Sequence, residues 1–95
     1  MKDKSQTILH HEQLHFDITE IYSRQLFAKL SLLSSQKILS RNEVSKLFTQ
    51  INDACGEMQD AYDHATRHGT DAEQQNLWSE KIKGWLKDQY STASE

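Results

Sequence analysis

Apolar residues recur every three or four positions along three stretches of this 95-residue chain. That spacing places them on one face of a helix, so each stretch predicts an amphipathic α-helix. The predicted helices cover about residues 5–33, 41–68 and 71–90, followed by a frayed tail over residues 91–95. The second helix has the most regular apolar stripe, formed by Val44, Leu47, Phe48, Ile51, Ala54, Cys55, Met58, Ala61, Tyr62 and Ala65. The third helix offers Leu77, Trp78, Ile82, Trp85 and Leu86.

Capping signals indicate where these helices begin and end. Ser40 and Glu43 form a capping box that predicts the start of the second helix, since the serine hydroxyl can accept from the Glu43 amide. Gly69 suits the left-handed position that ends a helix. Thr70 and Glu73 form a second capping box, which predicts the start of the third helix.

Three amphipathic helices with short connections favour an all-α fold, an antiparallel three-helix bundle in a single domain over residues 1–95. The absence of proline and the single valine agree with a helical chain. A net charge of −3 with mixed signs argues against a nucleic-acid partner. No apolar run is long enough to predict a membrane span, and no signal peptide is visible. With Cys55 as its one cysteine, the chain has no intrachain disulfide.

One motif carries recognisable chemistry, the HExxH sequence His11-Glu12-Gln13-Leu14-His15. Histidines four residues apart share a helix face and can bind one ion. Zinc accepts imidazole nitrogen, and a catalytic site keeps a position open for water, whose proton a neighbouring glutamate can take. The motif therefore predicts His11 and His15 as Zn²⁺ ligands and Glu12 as the general base. The alternative interpretation is two solvent-facing histidines around a glutamate.

A third ligand is needed, and the geometry of a helical hairpin indicates where it lies. The turn between the first two helices centres near residues 37 and 38. Residues equidistant from the turn lie side by side, so His11 is level with about residue 65 and His15 with about residue 61. Within about one turn, 5.4 Å, lie three candidates: Asp63, His64 and His68.

The positions of these candidates around the second helix distinguish them. His68 continues the apolar stripe, His64 is turned further toward solvent, and Asp63 is expected nearly opposite the stripe. We therefore predict His68 as the third metal ligand, with His64 as the runner-up. The alternative for His68 is a histidine favoured by the dipole at a helix C-terminus.

Four further residues have both a functional and a structural interpretation. Asp17, Glu20 and Asp63 are candidates for carboxylates that hydrogen-bond the imidazoles and orient them. The structural interpretation of Glu20 is a surface ion pair with Arg24, which lies four residues later on the same helix face. Tyr62 is a candidate donor to a developing oxyanion, although its place in the apolar stripe also fits core packing.

Two blocks of the sequence resemble a known family. The block from His11 to Glu20, with Arg24 after it, resembles the signature of bacterial proteins described as predicted secreted zinc-dependent proteases, a family otherwise catalogued as a domain of unknown function. The block from Tyr62 to Gly69, followed by Gln75 and Trp78, resembles that family's second block. The resemblance covers roughly residues 8–85.

The resemblance implies a metallopeptidase, that is, a zinc-dependent hydrolase acting on a peptide or protein substrate. It implies Zn²⁺ binding by His11, His15 and His68, with Glu12 as base. Family members are exported, which implies a periplasmic or extracellular location, and they carry a strand-rich segment before the HExxH helix. The chain is thus expected to be the helical part of a zincin-like domain without its N-terminal strands, and its uncovered faces suggest a homo-oligomer. The alternative is a non-catalytic zinc-binding or metal-free helical interaction domain, a truncated remnant of the peptidase family.

Overall fold

A computed structural model describes residues 4–37 and 40–93 of the chain. Its secondary structure consists of three α-helices: α1 (Lys4–Ser35), α2 (Arg41–Thr66) and α3 (Ala72–Ala93). The helices pack together and the described residues contain no strand, which confirms the predicted all-α three-helix bundle. Part of the predicted hairpin turn, Ile38 and Leu39, and the last two residues of the predicted tail lie outside the described residues.

Contacts between helices show how the bundle is arranged. Residues 11 and 15 of α1 contact residues 63 and 59 of α2, so these two helices are antiparallel. Residues 11 and 21 of α1 contact residues 75 and 89 of α3, so α1 and α3 run in the same direction. None of these helices is apolar over enough of its length to cross a membrane, as far as the described residues go.

The hydrophobic core is centred on the first half of α1. Leu14, Ile18 and Ile21 follow helical spacing and pack with Tyr62 of α2 and Ile82 of α3, and none of the five is more than 5% exposed. Burying a large apolar side chain contributes about 1.5–3 kcal/mol, so this cluster anchors all three helices. Three residues of the predicted apolar stripes are exposed: Phe48 (57%), Leu77 (52%) and Ala61.

The α2 helix ends at Thr66, two residues before its predicted end. Arg67, His68 and Gly69 follow with φ values of 51°, 58° and 93°, and we refer to them as the left-handed turn. The amide of Arg67 donates to His64 O (3.2 Å), and the amide of His68 donates to the carbonyl of residue 63 (2.9 Å). These bonds use the last carbonyls of α2 and turn the chain toward α3.

The turn also shifts the start of α3. Ser40 caps α2 as predicted, but the prediction that Thr70 caps α3 is wrong. Asp71 Oδ1 accepts from the amide of Gln74 (3.1 Å), whereas the Thr70 hydroxyl donates back to Arg67 O (2.8 Å). Because Thr70 is used to close the turn, the next residue supplies the N-cap.

Candidate metal site

The three functional residues of the HExxH motif lie together near the N-terminal end of α1. His11, Glu12 and His15 each offer a ligand atom within 4.8 Å of the others, a group able to hold a metal ion. The His11 and His15 rings are 4.9 Å apart and nearly perpendicular. The His11 side chain is 6% exposed and that of His15 is 22% exposed, while Glu12 faces solvent. The site is therefore packed against the bundle at His11 and accessible to solvent at His15 and Glu12.

Asp63 of α2 faces both histidines with a single carboxylate oxygen. Its Oδ1 atom lies 2.8 Å from His11 Nε2 and 2.7 Å from His15 Nε2. The expectation that Asp63 lies nearly opposite the core face is wrong, because α2 is rotated so that Tyr62 is fully buried and the next residue borders α1. Burial acts to raise the pKa of Asp63, but hydrogen bonds from His15 and His11 outweigh it, and the pKa is lowered.

The other nitrogen of each imidazole contacts a glutamine that was not among the predicted site residues. His11 Nδ1 lies 2.9 Å from Oε1 of Gln75 on α3, a residue only 4% exposed. His15 Nδ1 contacts Oε1 of Gln59 on α2. The hairpin register could have indicated Gln59, since it predicts that α2 residues near 61 lie beside His15. Gln75 belongs to the second block of the sequence resemblance, which singles it out, but no local spacing relates it to His11, which is 64 positions away.

Tyr62 supports His11 from inside the bundle. Its ring stacks on the imidazole with centroids 4.7 Å apart and an interplanar angle of 18°. Its hydroxyl donates to the backbone carbonyl of His11 (2.9 Å) and accepts from Gln75 Nε2 (2.7 Å). Burial raises the pKa of Tyr62 to about 12, although the hydrogen bond from Gln75 opposes that shift. The hydroxyl therefore holds the His11 backbone, and its predicted oxyanion role stays a prediction that this geometry does not favour.

Gly69, in the left-handed turn, packs directly against the His11 side chain. A Cβ atom added to Gly69 would lie 2.9 Å from His11 Cγ and 3.1 Å from His11 Nδ1. The left-handed turn is thus in close contact with the imidazole, and glycine leaves the space that the ring needs.

The two histidines proposed as third ligands lie at the edge of this arrangement. The His68 side chain is 83% exposed, and its Nδ1 is 3.9 Å from Asp63 Oδ2, the oxygen that does not face the histidine pair. His64 is exposed on the last turn of α2. The assignment of either as a ligand stays a prediction.

The remaining predicted carboxylates, Asp17 and Glu20, accept hydrogen bonds from side chains of the same helix. Asp17 accepts from Gln13 Nε2 (3.1 Å). Glu20 accepts from Arg24 Nη2 (2.9 Å) and Nε (3.2 Å), the surface pair that the i, i+4 spacing indicates. Their proposed role in orienting the imidazoles stays a prediction.

Comparison with known protein families gives a match over most of the chain. A family model described as "Bacterial protein of unknown function (DUF922)" matches residues 2–69, which include the HExxH motif, Asp63 and the left-handed turn. No curated protein and no solved structure matches the chain. The sequence resemblance is thus confirmed as far as a bacterial family of unknown function, and the match carries no information on proteolysis.

Proposed function

Because the chain belongs to this bacterial family of unknown function, we propose its role from the site itself: a zinc-binding domain that hydrolyses peptide bonds, with Glu12 as general base. The observation that carries the proposal is the convergence of two imidazole nitrogens on one carboxylate oxygen, at 2.8 and 2.7 Å, beside Glu12. A carboxylate oxygen can only accept, so each short contact needs either a hydrogen on Nε2 or a metal ion in its place, and the same three atoms can therefore serve as a metal-binding set.

The donor atoms fit zinc in type, and a small movement of the Asp63 carboxylate would give the spacing that zinc needs. Zinc binds imidazole nitrogen and carboxylate oxygen at about 2.0–2.2 Å, which at tetrahedral angles places ligand atoms about 3.4 Å apart. Asp63 Oδ1 would have to move about 0.6 Å from each nitrogen to admit the ion, and its side chain is 35% exposed. We propose His11, His15 and Asp63 as the ligands, with His68 as the alternative third ligand because it borders the same carboxylate.

The chain's own groups are arranged for general-base hydrolysis. When bound, zinc supplies Lewis-acid polarisation of a carbonyl and lowers the pKa of a water molecule. The exposed Glu12 carboxylate lies beside the ligand atoms of His11 and His15, where it can accept that water's proton and return it to the leaving amine. His15 and Asp63 are partly exposed, so a peptide would approach from this side.

Metal analysis of protein purified without a histidine tag is the first test. We expect about one zinc per chain, since the site has two converging histidines. Absence of bound zinc after zinc addition and dialysis would leave a metal-free helical bundle. One zinc without hydrolysis of an unfolded protein substrate would leave a non-catalytic zinc-binding domain.

The base is tested by Glu12→Gln, which should retain zinc and lose hydrolysis, because the amide cannot accept the water's proton. Glu80→Gln is the matched control, an exposed glutamate of α3 whose loss should change neither property. Full hydrolysis by Glu12→Gln would refute the mechanism while leaving the zinc site intact.

The third ligand is tested by comparing Asp63→Asn with His68→Ala and His64→Ala. Asp63→Asn should weaken zinc binding by more than about 100-fold, beyond the 10–100-fold typical of a residue that only orients a ligand. Both histidine variants should bind zinc as the unmodified chain does. A larger loss in His68→Ala would assign the third position to His68.

A further inference from the structure

We propose that Ile8, Leu9 and Phe16 form a docking surface that selects peptide substrates with large apolar side chains next to the scissile bond. We refer to these three residues as the apolar patch. The inference rests on the proposed function, because it takes Glu12 as the general base and names the class of substrate that this base would serve.

The apolar patch surrounds Glu12 on the surface of α1. Ile8 and Leu9 precede Glu12 by four and three residues, and Phe16 follows it by four. Residues three or four apart are neighbours on one face of a helix, and each such step covers about 4.5–6 Å along the axis. The base therefore lies between apolar side chains on both of its sides along the helix.

The apolar patch is separate from the face of α1 that packs in the core. Leu14 and Ile18 on the core face are at most 1% exposed. In contrast, Ile8, Leu9 and Phe16 are 59%, 69% and 70% exposed. The helix is thus apolar toward solvent around its proposed base, where an amphipathic helix ordinarily carries polar residues.

Exposed apolar side chains are concentrated at this place. Seven large hydrophobic residues of the described chain are exposed, and three of them form the apolar patch. The other four are Phe27, Leu32, Phe48 and Leu77. The one nearest in sequence, Phe27, lies eleven residues beyond Phe16, about 16 Å along the helix. Single exposed apolar residues need no explanation, but a group of them around a reactive carboxylate indicates a binding surface.

A peptide is the occupant that this position favours. The candidate site is open to solvent at His15 and Glu12, so a peptide bond attacked there must lie over this face of α1. An extended peptide advances about 3.2–3.4 Å per residue, so the apolar patch lies level with side chains one or two residues from the bond. Large apolar side chains would bury surface against the patch, whereas the carboxylates of Glu12 and Asp63 would repel acidic ones.

A pair of short peptides tests this selection on the zinc-loaded chain. One peptide has two leucines on each side of its central bond, the other has serines at the same places, and both end in lysines for solubility. We expect kcat/KM to be at least about 10-fold higher for the leucine peptide. The difference should lie chiefly in KM, because the apolar contacts are present before the transition state as well as in it.

Two variants locate the contact on the helix. Phe16→Gln and Leu9→Gln each remove an exposed apolar side chain and keep a good helix former. Each should lower the leucine-to-serine ratio of kcat/KM by about 3–10-fold. Phe27→Gln is the matched control, because it removes an exposed phenylalanine of the same helix far from Glu12, and it should keep the ratio of the unmodified chain.

Peptide binding gives a readout that does not depend on catalysis. The Glu12→Gln chain is titrated with the leucine peptide and followed by nuclear magnetic resonance. The signals of the apolar patch should shift, and those of Phe27 should not. The serine peptide should bind at least about 10-fold more weakly.

The outcomes separate this inference from the proposed function. Hydrolysis without a preference for leucine, or with a preference that Phe16→Gln and Leu9→Gln both retain, would refute this inference alone. Binding of the leucine peptide at the apolar patch in a chain that hydrolyses neither peptide would refute the proposed function and leave the docking surface standing. A leucine peptide that shifts no signal of the patch would overturn the docking surface. A dimer of the unmodified chain that Phe16→Gln dissociates would also overturn it, since a second copy would then cover the patch.

Discussion

Gly69 offers a direct test of how closely the left-handed turn and the His11 imidazole are packed. The substitution Gly69→Ala adds one methyl group at a residue with φ of 93°. Its Cβ would lie 2.9 Å from His11 Cγ and 3.1 Å from His11 Cβ, separations that real Cβ atoms rarely or never show. The imidazole is held by Gln75, Asp63 and the Tyr62 ring, so it has little freedom to move away.

Two costs add in this variant. Placing an L side chain in the left-handed region costs roughly 1–2 kcal/mol. Overpacking a tightly packed site costs typically about 1–3 kcal/mol. The free energy of unfolding should therefore fall by about 2–5 kcal/mol. A domain of this size has a total of about 5–14 kcal/mol, so the loss is a large fraction of its stability.

Urea unfolding followed by circular dichroism measures the effect. With an m value of about 2 kcal/mol/M, the midpoint should drop by about 1–2.5 M. Gly56→Ala is the matched control: Gly56 is exposed inside α2 and an added Cβ meets nothing within 4 Å. That variant should gain about 1 kcal/mol from helix propensity. If Gly69→Ala is as stable as the unmodified chain, or gains stability like the control, the close contact with His11 is not real.

Three further predictions follow from the hydrogen bonds and ion pairs. Burial raises the pKa of Tyr62 from 10.0 to about 12, so its neutral form stabilises the fold below pH 10 and this contribution is lost as the pH rises toward 12. In a pH titration followed by tyrosinate absorbance, one tyrosine should ionise near pH 12, and Tyr62→Phe should remove that step. Asp71→Ala should lower the free energy of unfolding, measured with heat or urea, by about 1 kcal/mol, because Asp71 caps α3. Thr70→Ala should lower it by less, and a larger loss in Thr70→Ala would mean that Thr70 is the cap after all. Arg24→Ala should cost less than about 1 kcal/mol and leave zinc affinity unchanged, because it breaks a surface pair with Glu20; weaker zinc binding would instead support a role for Glu20 in the site.

The fold and the histidine pair could be predicted because both depend on local spacing. Apolar steps of three and four residues place Leu14, Ile18 and Ile21 on one face whatever the neighbouring helices do. The same periodicity places His11 and His15 together, and a single helix is sufficient to juxtapose them. The hairpin register then predicts which part of α2 lies opposite the pair.

The α2 residues that surround the histidine pair could not be predicted with the same reliability, because their positions depend on where α2 ends and how it is rotated. A helix continued to His68 would extend the apolar stripe toward the histidines, and for this reason the sequence favours His68. The chain instead leaves the helix at Thr66, since Arg67 and His68 adopt left-handed conformations, which are uncommon for residues other than glycine. The turn that moves His68 to the surface is also the one that brings Gly69 against the His11 ring and leads into α3, where Gln75 bonds the same imidazole. Three left-handed residues in succession carry backbone strain, so tertiary contacts must hold them in place. Because the His11 imidazole makes one of those contacts, we expect the turn and the candidate metal site to be stabilised together.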